Sequence, residues 1–395
     1  MTVVGRLGPK GPSLTKAIAS WIGRRPLAQG GMLVGTIAIF WLCGNTMLGN
    51  MHRFGIVPGF AFLNHAANFE IGESLINYSS RDSYARAILV GLLNTIEVAV
   101  FGCILATVLG VGLGIARLSG NRLLSGLVQA YVEVVRNTPL LLQLFFWNAT
   151  IHALPGPREA LQPIDGFLLS NRGVFLPALR DPSGQGWLFP GILTGLLLAA
   201  GFAWVRRRRS SPASLPYAII VLAVAVLGPA GVALASGSRV SIEVPALHGF
   251  NITGGISVSP EFVALLVALV VNAAAGICEI VRGGIQSIPR GQWDAADALG
   301  LARWGTMRLV ILPQALRVII PLMTSSYLSL TKNSSLAVAI GFPDLFSVVN
   351  TGANQTGQVF ETITILMTVY LALSLSVSVA MNLYNRRLAR QGYAR

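Results

Sequence analysis

The chain has 395 residues, of which 53% are hydrophobic and 11% are charged, and its mean hydropathy is +0.65. About 25% of the residues are charged in an ordinary soluble domain, so this composition excludes a soluble globular protein and indicates several helices in lipid. The net charge of +14 would suggest nucleic acid in a soluble protein. However, no stretch interleaves aromatic and basic residues, and membrane proteins collect Lys and Arg in cytoplasmic loops. Membrane lipid is therefore the expected partner, and nucleic acid is not.

Eight apolar runs, each long enough for a membrane helix, follow one another along the chain. They cover about 31–49, 87–116, 131–153, 187–205, 217–235, 261–281, 313–330 and 359–384. The fourth and fifth runs form a helical hairpin, about 187–236, that is added to a smaller core. The predicted organisation is a basic N-terminus (1–30), a first helix with an outer loop (31–86), a transmembrane domain (87–384) and a basic tail (385–395). The long segments 50–86 and 154–186 are predicted to be ordered loops that lie against the membrane.

The distribution of basic residues predicts the topology. With the N-terminus inside and eight crossings, 20 of the 29 Lys and Arg residues fall in cytoplasmic segments and seven in outer segments. The block Arg206–Arg209 then lies between the two helices of the hairpin, on the cytoplasmic side. Because cytoplasmic loops are enriched in positive charge, both termini are predicted to be cytoplasmic in a multi-pass protein.

The residues do not indicate an enzyme or a metal site. Cys43, Cys103 and Cys278 lie far apart in apolar runs, and the four histidines are scattered, so neither residue type has metal-ligand spacing. No G-x-x-x-x-G-K-[ST] sequence occurs, so any ATP coupling requires a separate subunit. The glycines of 108–116 lie in an apolar run with no preceding strand, which favours helix packing over nucleotide binding.

The segment 282–312 is long for a loop between membrane helices and has helix signals of its own. Pro289 can begin a helix, Asp294 and Asp297 suit its early part, and Gly300 can end it in a left-handed cap. Three alanines keep part of this helix thin, so another protein surface could approach it closely. A helix lying on lipid headgroups is the alternative, which the acidic pair and the scarcity of large apolar residues disfavour.

The spacing within this loop resembles the EAA loop of ABC-importer permeases. Asp294, Ala295 and Ala296 are followed three residues later by Gly300, and after nine more residues by Val310, Ile311, Leu312 and Pro313. The usual motif has Glu where this chain has Asp294 and Ile where it has Val310. The resemblance implies that this loop is a coupling helix that docks into an ATPase subunit.

Further segments resemble the polar-amino-acid permeases. They are VGLLNTIEVAV (90–100), YVEVVRNTPLLLQLFFW (131–147), GGIQSIPRGQWDAADALGL (283–301) and LTKNSSLAVAIG (330–341). The outer segments 69–87 and 154–177 resemble the longer Q-type subunit of the general L-amino-acid transporters. The fold implied is an all-α polytopic membrane protein with about eight transmembrane helices and a MetI-like core of the type I ABC importers.

The resemblance also implies the partners and the location. They are two ATPase subunits that bind ATP and Mg, a second related permease subunit and a periplasmic amino-acid-binding protein. The chain itself would hold no cofactor, and it would carry L-amino acids across the bacterial inner membrane without being an enzyme.

Several ionisable residues lie where contact with lipid is costly, about 2.5–3.5 kcal/mol for each charge on insertion scales. Glu279 and Arg282, spaced i, i+3 before the coupling loop, are candidates for transmitting ATPase motion. Lys332, followed by Asn333 and Ser334, resembles the substrate path of the family, where a cation could meet a substrate α-carboxylate. Snorkelling of Lys332 to the interface is the alternative.

Other membrane carboxylates leave a second function class open. Glu133 and Arg136, spaced i, i+3, are expected to form a local ion pair. A self-contained, proton-coupled secondary transporter could use Glu97, Glu279 or Glu361 as a proton relay. Such a transporter would be expected to contain inverted repeats and broken helices in matching positions, and the sequence contains neither.

Overall fold

The computed structural model describes residues 26–53, 59–180 and 241–392. Helices dominate these ranges. They are α1 Pro26–Arg53, α2 Tyr84–Arg117, α3 Arg122–Asn137, α4 Leu140–His152, α5 Pro260–Gln286, α6 Arg290–Ala298, α7 Arg303–Thr306, α8 Leu312–Asn333, α9 Leu345–Thr356 and α10 Val359–Gly392. A π-helical turn, Met307–Ile311, joins α7 to α8, and a 3-10 stretch, Ser334–Ile340, follows α8.

Five helical stretches of the described ranges are long and apolar enough to cross a membrane. They are Ala28–Met47, Tyr84–Arg117, Pro260–Gln286, Arg303–Ile340 and Val359–Asn385. These correspond to the first, second, sixth, seventh and eighth apolar runs of the sequence, which are thereby confirmed as helices. The predicted hairpin at 187–236 lies outside the described residues, as does most of the basic N-terminus. The total of eight crossings therefore stays a prediction.

The third apolar run, 131–153, is not the continuous membrane helix that was predicted. The chain forms two shorter helices there, α3 and α4, with a break at Thr138 and Pro139. Proline has no N–H to donate, and its ring forces the residue before it into an extended conformation. Thr138 accordingly has φ −99° and ψ 127°. With 13 residues, α4 is about 20 Å long, which is shorter than a typical membrane span.

The packing of α2 against α5 depends on glycines of α2. A Cβ atom at Gly110 would lie 2.7 Å from the side chain of Ile277, and one at Gly114 would lie 2.9 Å from that of Val281. The two backbones therefore approach closely only because these positions lack side chains. This geometry confirms the predicted role in helix packing for Gly110 and Gly114, whereas Gly112 has no atom within 4 Å of its Cβ position.

Short strands connect α4 to α5 at one end of the helix bundle, which we call the strand end. They are β1 Leu161–Ile164, β2 Phe167–Ser170, β3 Gly173–Leu176, β4 Ala178–Arg180, β5 Ser241–Glu243, β6 Ala246–His248, β7 Asn251–Thr253 and β8 Ile256–Val258. Strands β1, β2, β3 and β8 form an antiparallel sheet in that order, whereas β4 pairs with β5 and β6 with β7. Arg180 stands opposite Ser241, so the residues that flank segment 181–240 lie side by side. The all-α description therefore fits the membrane part but not this connection.

Segment 59–83 crosses the strand end and is tied to several helices. The Gly59 N–H donates to Glu361 of α10 over 2.9 Å. The Asn94 amide of α2 donates to the carbonyls of Glu73 and Pro343 over 2.8 and 2.9 Å. These contacts are consistent with the ordered loop that was predicted for this part of the chain.

Candidate coupling helix and substrate path

Helix α6 has the limits that the sequence predicts, but Asp294 lies in its middle and Asp297 in its last turn, whereas both were expected in its early part. It begins directly after Pro289 and ends at Ala298. Gly300 has φ +70°, its N–H donates to the Asp297 carbonyl over 2.9 Å, and the Leu301 N–H donates to the Ala296 carbonyl over 3.1 Å. This pair of bonds is a Schellman motif, in which a left-handed residue satisfies the last carbonyls of a helix. The predicted left-handed cap at Gly300 is confirmed.

The residues of the EAA-like motif are divided between the two faces of α6. Ala296 is buried against the rest of the chain, with 2% exposure, whereas Asp294 and Ala295 are exposed. Of these three residues, Asp294 and Ala295 are therefore free to meet another molecule. Two apolar side chains just beyond α6 are also exposed, Leu299 to 80% and Trp304 to 73%.

A polar contact connects α6 to the start of α8. The Gln314 side-chain amide donates to the Gln292 side-chain oxygen over 3.0 Å. Pro313 lies in the first turn of α8, directly after the π-helical turn. The end of the bundle that carries α6, which we call the α6 end, is thus a continuous structure from α5 through α6 to α8.

Glu279 and Arg282 form the ion pair that their spacing predicts. The Arg282 guanidinium donates to Glu279 Oε2 over 2.7 and 3.1 Å. A second guanidinium, that of Arg117 in the last turn of α2, donates to Glu279 Oε1. All three side chains are 14–31% exposed, so the carboxylate is largely removed from solvent. Arg117 was not identified from the sequence, because nothing local indicates that it meets Glu279.

Lys332, Asn333 and Ser334 do not act as one polar unit, although they are consecutive. Lys332 lines a cavity of about 750 Å³ between α8 and α10. Asn333 lines a separate cavity of about 190 Å³ between α5 and α8. Ser334 is fully buried, and its hydroxyl donates to the Thr331 carbonyl over 2.8 Å. The structure therefore places Ser334 in the core and on neither cavity.

The cavity between α8 and α10, hereafter the Lys332 groove, combines one cation with several hydroxyl groups. Ser335, Thr364, Thr368, Tyr370 and Ser374 line it with Lys332. The Thr364 and Thr368 hydroxyls donate to carbonyls of their own helix over 2.8 and 2.7 Å, and their oxygens are free to accept. The groove thus offers a positive charge for an anion and hydroxyl oxygens for a cation.

The other membrane carboxylates have different surroundings from those expected. Glu133 accepts a hydrogen bond from Gln129 over 2.7 Å, and no ion pair with Arg136 forms in the described part of the chain. Glu361 is buried, with 4% exposure; its Oε1 accepts from the Gly59 N–H, and its Oε2 has no partner within the described ranges. Glu97 is half-buried on α2 and makes no hydrogen bond to a described residue.

Glu73 lies at the strand end, outside the membrane-spanning stretches. Its carboxylate accepts a hydrogen bond from the hydroxyl of Ser259, the residue that caps the N-terminus of α5. Burial, together with repulsion from Glu261, raises the pKa of the Glu73 carboxyl above its ordinary value of 4.5, although the Ser259 hydrogen bond opposes this shift. The charged form is thus disfavoured at this position.

These features define a helical membrane protein with a short helix exposed at one end and, between its long helices, grooves that contain polar side chains. Residues 191–390 match the family model described as "Binding-protein-dependent transport system inner membrane component". The putative amino-acid ABC transporter permease protein YhdX of Escherichia coli is 45% identical over 353 residues, which are 88% of this chain and 90% of that protein. The general L-amino acid transport system permease protein AapQ of Rhizobium johnstonii is 44% identical, covering 89% of this chain and 88% of AapQ.

A third relative, the glutamate/glutamine/aspartate/asparagine transport system permease protein BztB of Rhodobacter capsulatus, is 38% identical over 90% of this chain and 91% of its own. A solved amino acid ABC transporter structure has a TM-score of 0.47 and 20% identity, and covers 77% of this chain and 95% of that one. The chain belongs to the family of binding-protein-dependent transport system inner membrane components. This membership confirms the family resemblance seen in the sequence.

Proposed function

We propose that this chain is the permease subunit of an ABC importer that carries L-amino acids from the periplasm to the cytoplasm. The named functions of YhdX, AapQ and BztB support the amino-acid substrate. Two ATPase subunits bind ATP and Mg, a second related permease completes the pore, and a periplasmic binding protein delivers the substrate. The protein resides in the bacterial inner membrane with both termini and the α6 end in the cytoplasm. The chain itself performs no covalent chemistry.

The geometry of α6 is the observation that carries this proposal. It is a capped helix that stands between two membrane helices and exposes Asp294 and Ala295. In the proposed complex, this face docks into an ATPase subunit, and the Schellman cap at Gly300 keeps the helix short and rigid. Movement of α6 then reaches α8 through Gln292 and Gln314, and α5 through its covalent connection.

The cluster of Glu279, Arg282 and Arg117 extends this path of transmission. Because Glu279 joins the end of α2 to the end of α5, a displacement of α6 moves both helices together. The two conformations of such a permease differ in which side of the pore is open, and ATPase movement changes their relative populations. Glu279 and Arg282 therefore have a coupling role and no direct contact with the substrate.

The Lys332 groove is the proposed position for the substrate α-carboxylate. The Lys332 ammonium is exposed to the groove, and the hydroxyl oxygens of Thr364 and Thr368 can accept from a substrate α-ammonium. In Lys332→Ala, uptake is expected to fall while the complex stays assembled. In Lys332→Arg, which keeps the charge, most of the uptake is expected to remain. Normal uptake by Lys332→Ala would remove this residue from the path.

The docking proposal is tested by co-purification of the ATPase with the tagged permease complex. Ala295→Glu places a charged side chain on the exposed face of α6 and is expected to lower the amount of ATPase recovered per permease. Gly120→Glu is the matched control, since Gly120 is exposed near the same end of the bundle and a Cβ atom there would have no neighbour within 4 Å. Equal ATPase recovery in the two variants would contradict the docking role of α6.

A further inference from the structure

A second groove, between α5 and α8, has a lining unlike that of the Lys332 groove. It has a volume of about 190 Å³. Asn272 and Gly276 contribute from α5, and Ser326, Ser329 and Asn333 contribute from α8. Asn272 lies near the middle of α5, so the groove opens well inside a membrane-spanning stretch. We call it the amide–hydroxyl groove.

Four polar side chains of this groove have no hydrogen-bond partner among the described residues. Asn272, Ser326, Ser329 and Asn333 make no hydrogen bond to any residue in the described ranges, and each is at least partly exposed. Serine in a helix usually donates to a carbonyl three or four residues earlier, as Ser325, which also lines the groove, does over 2.7 Å. A polar group without a partner costs several kcal/mol in the hydrocarbon region. Lipid tails therefore do not suit this groove, and a polar occupant does.

The groove is also uncharged. Among the described residues that line it, none is acidic or basic. Lys332 is next to Asn333 in sequence, but its side chain lines the other groove. Asparagine amides and serine hydroxyls both donate and accept hydrogen bonds, so they can meet a carboxylate and an ammonium group equally well. Such a lining does not select for or against a charge on the rest of the ligand.

We infer that the amide–hydroxyl groove is a binding position for the zwitterionic backbone of an amino acid during its passage, and that it accepts acidic, neutral and basic side chains alike. This inference rests on the proposed importer function, and it adds Asn272, Ser326 and Ser329 to the substrate path. The cavity is smaller than the 300 Å³ or more of typical ligand pockets. It therefore holds the backbone group and leaves the substrate side chain outside.

Gly276 allows the groove to be filled without disturbing the helix packing. A Cβ atom at Gly276 would have no neighbouring atom within 4 Å. In Gly276→Leu, the side chain occupies the groove, and uptake by the complete reconstituted complex is expected to fall about tenfold, since a blocked position removes transport without removing docking. Gly283→Leu is the control on the same helix, because Gly283 is equally open and does not line the groove. Its uptake is expected to match that of the unaltered complex.

A second variant tests the neutral character of the lining. Asn272→Asp introduces one carboxylate into the groove, and the ratio of labelled lysine uptake to labelled glutamate uptake is expected to rise about tenfold, because like charges disfavour the acidic substrate. An unchanged ratio, or normal uptake by Gly276→Leu, would overturn the inference. Loss of the second permease from the Gly276→Leu complex would also overturn it, since the groove would then be a subunit interface. Absence of ATP-dependent uptake by the unaltered complex would instead count against the proposed function itself.

Discussion

The guanidinium of Arg117, in the last turn of α2, donates a hydrogen bond to the carboxylate of Glu279 on α5. Arg282 donates to the other oxygen of the same carboxylate over 2.7 Å. One acidic side chain thus holds two cations from two membrane helices, just before the chain enters α6. The connection between these helices at the α6 end therefore depends on Glu279.

In Glu279→Gln, the two guanidiniums lose their counter-charge and repel each other. Breaking a fully buried pair costs 3–5 kcal/mol, and for these partly exposed groups we expect a loss of about 1–3 kcal/mol in the free energy of unfolding. ATPase activity is also expected to respond less to the binding protein. Thermal unfolding of the purified complex and its stimulated ATPase rate measure the two effects. Glu133→Gln is the control, because among the described residues Glu133 bonds only to Gln129 of its own helix; equal losses in both variants would contradict this role of Glu279.

The glycine contact between α2 and α5 predicts different losses of stability for two nearby substitutions on α2. In Gly110→Val, the new side chain meets Ile277 at a distance that no side chain tolerates, and overpacking of this kind costs about 1–3 kcal/mol. In Gly112→Val, two residues away, the new Cβ atom has no neighbour within 4 Å, so we expect a change below about 0.5 kcal/mol. The midpoint of thermal unfolding in detergent distinguishes the two variants. Equal midpoints would show that α2 and α5 are not packed in this way.

The cap of α6 is expected to be sensitive to any side chain at Gly300. In Gly300→Val, a branched residue has to adopt φ near +70°, at a cost of about 1–2 kcal/mol, which changes an equilibrium about 5–30-fold. The last turn of α6 then opens, and less ATPase is recovered with the permease. Gly120→Val, near the same end of the bundle with no atom near its Cβ position and off the docking face of α6, is the matched control. Full ATPase recovery with Gly300→Val would separate the cap from docking.

Glu73 makes the stability of the strand end depend on pH. Because the pKa of its carboxyl is raised in the folded state, its contribution to stability is fully present below the ordinary pKa of 4.5 and is lost as the pH rises through the raised value. The variant Glu73→Gln has no carboxyl group to ionise at this position, so it does not lose stability in this way as the pH rises. The unfolding midpoint of the variant, relative to that of the unaltered complex, should therefore increase as the pH rises from below 4.5 through the raised pKa of Glu73, and should level off above it.

A difference in midpoint between the two proteins that stays constant or shrinks as the pH rises would contradict the raised pKa of Glu73.

The sequence was sufficient to predict features that depend on local chemistry. The limits of α6 follow from Pro289 and Gly300, and the long helices follow from apolar runs whose length matches a bilayer. The break at Pro139 had a signal as well, because a Thr-Pro pair disfavours a continuous helix, but the apolar run around it concealed the break. Helix α9 was missed even though Asp344 caps its start and Gly357 follows its end, because its 12 residues are too few to register as a membrane run.

Features that depend on tertiary contacts could not be predicted in this way. Arg117 and Glu279 are 162 residues apart, and nothing in either neighbourhood indicates the partner. Strands of three or four residues are too short to show the alternation that identifies a β-strand. Lys332 and Asn333 line different grooves because successive residues of a helix point about 100° apart, and only the positions of α5 and α10 decide what each one faces.

Energised uptake tests the central claim most directly. The complete complex is reconstituted into liposomes, and uptake of a labelled L-amino-acid mixture is measured under two conditions. In the first, ATP is trapped inside and the binding protein is outside. In the second, a proton gradient is the only source of energy. The importer account predicts uptake that requires both ATP and the binding protein and does not respond to the gradient. Uptake driven by the gradient without ATP would contradict it, and would favour a proton-coupled transporter that uses Glu97, Glu279 or Glu361.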